Sequence, residues 1–228
     1  MIITKTKGFT LAEVLITLGI IGVVSALTIP TLVKRNTNEA FVQQLKKAYA
    51  TISTAFDSIL AENNVVNIGE TYAYDEPGKF LNNYFKVAVD CGTQRGKPCF
   101  ADSYKQLNGD TMSVTDMQNA GNTYSVVLAD GTAIAMAPMY NLDSWQVPAS
   151  HNIYIHIDTN GSKGPNIIGR DFFTLKYDDS KKMLQDLGGY NGDAVGADRN
   201  QALNYCSNSQ RGYGCLRLIQ IDGWKMDY

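Results

Sequence analysis

Histidine is scarce in this chain: His151 and His156 are the only two among 228 residues. Their spacing places them on opposite faces of a strand. Neither falls in a Cys-His or Ser-His-Asp arrangement with a recognisable context, and no glycine-rich phosphate loop is present. These absences argue against nucleophilic catalysis and nucleotide hydrolysis, and the chain reads as a non-enzyme. Charge is also sparse, at 18% of residues with a formal net charge of −2. Such a surface has no general attraction for nucleic acid or anionic lipid. The four cysteines include no C-x-x-C pair, which excludes the usual zinc and thioredoxin-like spacings. Internal repeats and low-complexity tracts are absent.

One long stretch lacks charge almost entirely. From Phe9 to Ile29 the residues are nearly all apolar, and Glu13 is the only formal charge. As a helix at about 1.5 Å per residue this run spans roughly 31 Å, close to the hydrocarbon thickness of a bilayer. Lys5 and Lys7 precede it, and Lys34 and Arg35 follow. A cleavable secretory signal would have a shorter apolar core with a small-residue site after it. Here Ser25-Ala26 lies within the run, so a retained anchor is expected. An acid in hydrocarbon costs about 2.5–3.5 kcal/mol at a helix centre and less near an end, so Glu13 needs a partner. Cutting between Gly8 and Phe9 would create an amine able to pair with Glu13 of a neighbouring copy.

Lys7-Gly8-Phe9-Thr10-Leu11-Ala12-Glu13, followed by the apolar run, resembles the prepilin signature of type IV pilins and type II secretion pseudopilins. The resemblance covers only the first 30 or so residues. It implies peptidase cleavage after Gly8, N-methylation of Phe9, an assembly role for Glu13, and a helix-kinking role for Pro30. It also implies a prepilin peptidase/methylase, a membrane assembly platform and other pilins or pseudopilins as partners, with the lipid bilayer as the surroundings before assembly. The implied location is a single pass of the cytoplasmic membrane first, and a periplasmic or cell-surface filament afterwards. The reading is therefore a structural subunit of a type IV pilus-like filament or secretion pseudopilus, with no nucleic acid expected for a major subunit. Its rivals are a minor pilin whose C-terminal domain binds DNA, glycan or a surface, and an anchored enzyme unrelated to filaments.

Beyond Pro30 the pattern becomes amphipathic. Phe41, Leu45, Ala48, Ile52, Ala55 and Ile59 recur at three- and four-residue steps, widened by Val42, Tyr49, Phe56 and Leu60. One helix from about Thr10 to Glu62 is expected, ended by Asn63-Asn64. The expected organisation is a leader over 1–8, a membrane or filament-core helix over 9–33, its amphipathic continuation over 34–62, and an extracytoplasmic β domain over 63–228. Residues 65–122 read as irregular, with Lys79–Val89 either a helix or a strand. Thr123–Ala129 and Thr132–Ala137 flank Asp130-Gly131 as a hairpin. Asn152–Ile157, Phe172–Tyr177 and Lys182–Leu187 add strands, the last two joined through Asp178-Asp179-Ser180-Lys181. The fold class is α+β, a long helix packed on an antiparallel sheet.

Cys91, Cys99, Cys206 and Cys215 form two local clusters. For an exported domain these predict two disulfides, most simply Cys91–Cys99 and Cys206–Cys215, with two other pairings open. Both clusters enclose a Gln-Arg-Gly, at Gln94-Arg95-Gly96 and Gln210-Arg211-Gly212, read as solvated loop residues. The segment Asp158–Asp171 carries hard oxygen donors: Asp158, Asn160 and Ser162 alternate like the first ligands of a calcium loop, and Asp171 offers a second carboxylate. The bidentate Glu of such loops is absent, with Gly169 in its place. The competing reading is an Asn-Gly and Gly-Pro turn whose polar side chains bond their own backbone. No cofactor is required, and calcium is the one candidate. Thirteen tyrosines and two tryptophans are read as packing residues of a β domain.

Overall fold

A computed structural model describes residues 8–114, 123–139, 151–187, 198–208 and 211–228. Lys5 and Lys7 of the leader, and Gln210, lie outside them. The chain divides into two compact units, Met1–Glu39 and Ala40–Tyr228. Helix α1 (Leu11–Asn63) contributes to both and is continuous through Pro30. This division falls at 39/40, between the sequence-expected boundaries at 33 and 62.

In the second unit, the apolar stripe of α1 forms one wall of the core. Phe41, Val42, Leu45, Ala48, Ile52, Ala55, Phe56 and Ile59 are all buried. The helix closes at Asn64, whose φ of 52° reverses the chain. A 3₁₀ turn (Ile68–Glu70), α2 (Tyr72–Asp75) and α3 (Pro77–Tyr84) follow. Thr71 caps α2 by accepting the Ala73 N–H, and Pro77 opens α3, where no intrahelical N–H is needed. The undecided stretch Lys79–Val89 thus holds the end of a helix and the start of β1 (Val87–Gly92).

Six strands make an antiparallel sheet in the order β1, β4 (Tyr124–Leu128), β5 (Ala133–Pro138), β6 (Ile153–Asp158), β7 (Phe172–Asp178) and β8 (Met183–Asp186). β4 and β5 form the Asp130-Gly131 hairpin. The Gly131 N–H donates to the Leu128 carbonyl and Asp130 accepts the Thr132 N–H, with Gly131 at φ 90°. A separate two-stranded ribbon joins β2 (Ser103–Lys105) to β3 (Thr111–Ser113).

Both faces of the sheet are covered, which alternation within single strands did not reveal. On one face Ile155, Ile157, Phe173, Leu175 and Tyr177 pack with α1 and α3; Phe56 stacks on Tyr177 at 4.2 Å and on Phe80 at 5.0 Å. On the other, Ala133, Ala135 and Phe172 meet Phe100, Tyr104, Val114 and Ile168. Residues 65–122 are therefore not merely irregular: they supply β1, the β2–β3 ribbon and the second covering layer. The C-terminal part forms α4 (Arg199–Asn208) and α5 (Cys215–Ile221), which the sequence reading did not anticipate.

Disulfides join Cys91 to Cys99 and Cys206 to Cys215. The second rests on Gly169, where an added Cβ would lie 2.8 Å from the Cys215 sulfur and 3.2 Å from that of Cys206. The Tyr228 hydroxyl donates to the Gly169 carbonyl at 2.6 Å, so the chain end, the disulfide and the β6–β7 loop form one packed cluster. Asp186 at the end of β8 accepts the Gly214 N–H at 2.6 Å and the Arg217 N–H at 2.9 Å, capping α5 from the sheet. Burial pushes this carboxyl up to about 7 against the pull of those donors.

Candidate functional site

The first unit is built around the start of α1. Thr10 precedes the first helical residue, and its side chain and backbone engage Glu13 reciprocally. The Thr10 N–H and hydroxyl both donate to Glu13 Oε2, at 2.8 and 2.9 Å, while the Glu13 N–H points to Thr10 Oγ1 at 3.3 Å. This is a capping box, in which a Thr and a Glu three residues apart satisfy orphan donors of a helix start. The Thr-x-x-Glu spacing before an apolar run was a legible signal for it, and the sequence reading assigned Glu13 no partner within its own chain.

Further along, the polar side chains turn back onto the helix. Thr17 donates to the Glu13 and Val14 carbonyls, Thr28 to Val24 and Thr37 to Val33, each at 2.8–2.9 Å. The helix surface is left to hydrocarbon. Phe9 is 89% and Leu11 79% exposed, and Leu15, Ile16, Leu18, Ile20, Ile21, Val23, Leu27, Ile29 and Leu32 are exposed as well. By length and composition this helix can cross a membrane. An apolar surface of this extent on one element marks a lipid or protein contact.

The second sequence-singled region is the β6–β7 loop. Asp158 is fully buried; its Oδ2 accepts the Tyr104 hydroxyl and its Oδ1 the Asn160 N–H at 3.1 Å. Asp171 is buried too, and its two oxygens accept the Asn166 N–H at 2.7 Å and the Ile167 N–H at 2.6 Å. Burial raises Asp158 to about 8 and Asp171 to about 6, the charge of Asp171 adding to the effect on Asp158. Burial, with the neighbouring Asp158 carboxyl adding to it, holds the Tyr104 phenol protonated. Asn160 Nδ2 bonds the Gly164 carbonyl at 2.9 Å, while Asn160 Oδ1, Asn166 Oδ1 and Thr159 Oγ1 are buried without a hydrogen-bond partner. Ser162 is half-buried.

The structure thus brings Asp158 and Asp171 to the facing ends of β6 and β7 and adds Asn166, which the sequence reading did not single out. Every carboxylate oxygen already takes a protein donor, the arrangement of a hydrogen-bonded turn. The orphaned amide and hydroxyl oxygens are hard donors of the class calcium takes. Among the described residues, no group of three or more His, Cys, Asp or Glu side chains could hold a metal.

The two histidines do not share a strand. His151 lies before β6, with its ring against Gly69 and edge-on to Tyr74 at 5.1 Å. β6 begins only at Ile153, so His151 has no strand face and the alternation expected from the spacing does not apply to it. His156 is buried, near Thr174 Oγ1 at 3.1 Å and stacked on Phe172; burial, aided by the charge of Arg211, pushes it down to about 3. It is a neutral packing residue. Arg95 and Arg211 both have interaction partners, so neither is a bare loop charge.

Residues 3–29 match the family model described as the prokaryotic N-terminal methylation motif, the signature of type IV pilins and pseudopilins. The match ends within the apolar half of α1 and does not extend to the sheet. No curated protein and no solved structure matches the chain.

Proposed function

We propose that this chain is a structural subunit of a type IV pilus-like filament or type II secretion pseudopilus, processed by prepilin peptidase and polymerised through its N-terminal helix. The observation that carries this reading is the methylation motif over residues 3–29 on a helix whose large apolar side chains are exposed. A membrane holds that surface before assembly, and neighbouring helices replace the lipid afterwards. The segment Phe9–Val33 acts as the spanning and filament-core part, and residues 1–8 as the leader. Removing the leader takes away Lys5 and Lys7 and leaves the mature chain more acidic. Energy for assembly comes from a separate motor and platform.

The test is fractionation of cells with and without the prepilin peptidase. The chain enters the sheared filament fraction only when the peptidase is present, and stays in the membrane at precursor mass without it. Equal recovery in both strains overturns the reading in favour of an anchored protein that acts alone.

Calcium at the β6–β7 loop is a separate proposal. Asp158, Asn160 and Asp171, joined by Asn166 and Ser162, would hold the ion weakly. The orphaned Asn160 and Asn166 oxygens support it. The ion's contribution is to fix the loop, and no assembly step depends on it.

A further inference from the structure

β7 and β8 pair antiparallel with Lys176 directly opposite Gln185, and Lys176 and Asp178 stand on the same face of the sheet. Asp178 is buried, and its two oxygens meet different groups. Oδ1 holds the turn: it accepts the Ser180 N–H at 3.1 Å, the Ser180 hydroxyl at 2.6 Å and the Lys181 N–H at 3.3 Å. Oδ2 faces three side-chain nitrogens. Lys176 Nζ lies 3.5 Å away and Lys181 Nζ 3.7 Å away, and Gln185 Nε2 donates to it. Lys181 Nζ also donates to Gln185 Oε1 at 3.5 Å. One carboxylate thus touches a primary amine and a carboxamide nitrogen at once, while a second cation sits on the carboxamide oxygen. These are the parts of an amide exchange: a nucleophile, a proton carrier, an electrophile and a charge to receive the developing oxyanion.

We propose that Lys176 and Gln185 join in an isopeptide bond across β7 and β8, formed by the chain itself with Asp178 as the proton carrier. A proton of the Lys176 ammonium passes to Asp178 Oδ2. The amine lone pair then bonds to Gln185 Cδ, and the carbonyl pair moves onto Oε1 beside the Lys181 charge. Asp178 gives its proton to Nε2 and takes the surplus proton from the newly bonded nitrogen. The Oε1 pair restores the carbonyl, the Cδ–Nε2 bond breaks, and ammonia leaves as ammonium with that last proton. Asp178 is again a carboxylate, and no oxidant, nucleotide or second protein is consumed. Burial raises Asp178, but Ser180 and the two lysine charges outweigh it and hold the carboxyl below its usual range, so it begins in the form that can take a proton. Lys176 is the nucleophile rather than Lys181 because its side chain is 7% exposed against 52%. Burial keeps water, the competing nucleophile, from the amide, and proton transfer within the buried pair relieves a desolvation cost. Opposed side chains of an antiparallel pair start from Cβ atoms about 4.5–5.5 Å apart, within reach of a Lys and a Gln. The bond ties the edge strand β8, whose Asp186 caps α5, to β7.

The experiment is tryptic mapping by mass spectrometry of the full-length chain, purified in detergent and then reduced and alkylated. The expected product is one branched peptide, residues 171–181 joined to residues 183–199, uncut at Lys176 and lighter by one ammonia than the same peptides unlinked. Fragmentation places the link between Lys176 and Gln185. Lys176→Arg and Gln185→Leu give linear peptides only. In Asp178→Asn, followed after an isotope pulse, the branched peptide forms roughly a hundredfold more slowly, the usual loss for a missing general acid–base group. Each variant is checked for both disulfides before reduction, so that a lost link is told apart from a lost fold, and the wild-type map decides the proposal whatever the variants do. Linear peptides from the wild-type chain overturn the inference and leave the cluster an ion-pair network around a turn. A link to Lys181, an ammonia loss that maps away from Gln185, or formation at the wild-type rate in Asp178→Asn overturns it as well. None of these readouts needs a filament, so a failure here and a failure of the filament reading are separate results.

Discussion

Buried carboxyls differ in this chain according to who donates to them. Asp178 is held below the usual range: Ser180, Lys176 and Lys181 more than offset its desolvation, and Gln185 also donates to it. Asp186 has only backbone N–H donors and the charge of Arg217 to set against complete burial, and it ends near 7. The neighbouring Tyr228 phenol is kept protonated by burial and by that same carboxyl. A raised folded-state value means that the folded chain holds a proton which the unfolded chain releases near pH 4. The stability contributed by Asp186 is thus fully present below about 4 and is lost as pH rises through about 7. Thermal melts of the full-length chain in detergent and chelator, from pH 5 to 8.5, should show the melting temperature falling with pH. The slope should flatten in Asp186→Asn, which has no proton to lose. An identical slope in the variant would place the pH dependence elsewhere. Nothing near Asp186 in sequence announced this role, because Gly214 and Arg217 reach it only through the fold.

Elements divide into those that local pattern encodes and those that only the assembled fold creates. The stripe from Phe41 to Ile59 is periodic and long: Phe41, Val42, Leu45, Ala48, Ile52, Ala55, Phe56 and Ile59 are buried, and Tyr49 and Leu60 at its margins are half-buried. The Asp130-Gly131 hairpin and strands β6, β7 and β8 were legible for the same reason: alternation bounded by turn residues. β1 was not, since its pairing with β4 spans some forty residues and is broken by two register irregularities. The β2–β3 ribbon is three residues a side, too short for any period to emerge. Helices α4 and α5 are also short, and α5 depends on a cap from a distant strand. At the proposed assembly site, Glu13 and the cleavage step stood out in the sequence, and the Thr10 capping box was available but unread. In the β6–β7 loop, Asp158 and Asp171 were legible, while Tyr104 comes from another element and carried no local signal. That loop gives a direct test of the calcium proposal. An ion bound only by the folded chain raises the melting temperature as its concentration increases, and an extracellular-type site has an affinity of about 10⁻⁴–10⁻³ M. Full-length chain should melt higher in millimolar calcium than in chelator, and Asp158→Ala should abolish the increment. Identical melts in calcium and chelator would leave Asp158 and Asn160 as turn-forming residues.

At the scale of the whole molecule, two bodies of opposite solvent preference share one helix. Residues 40–228 bury a core on both faces of a sheet and close it with two short disulfide loops, each worth roughly 2–3 kcal/mol by restricting the unfolded chain. Residues 9–33 leave their large apolar side chains uncovered and satisfy their polar groups internally, through the capping box and through threonine hydroxyls returned to the backbone. An uncovered apolar surface of this extent marks a lipid or protein contact, and the methylation motif at its start implies processing by a prepilin peptidase. Cleavage of the bond between Gly8 and Phe9 is the step on which the proposed filament role depends. The most direct measurement is mass spectrometry of the N-terminal peptide from protein recovered in sheared surface filaments. The expected product is a chain that begins at Phe9 and carries a methyl group on its amine. A filament chain that begins at Met1, or one cut after Ala26, would contradict it.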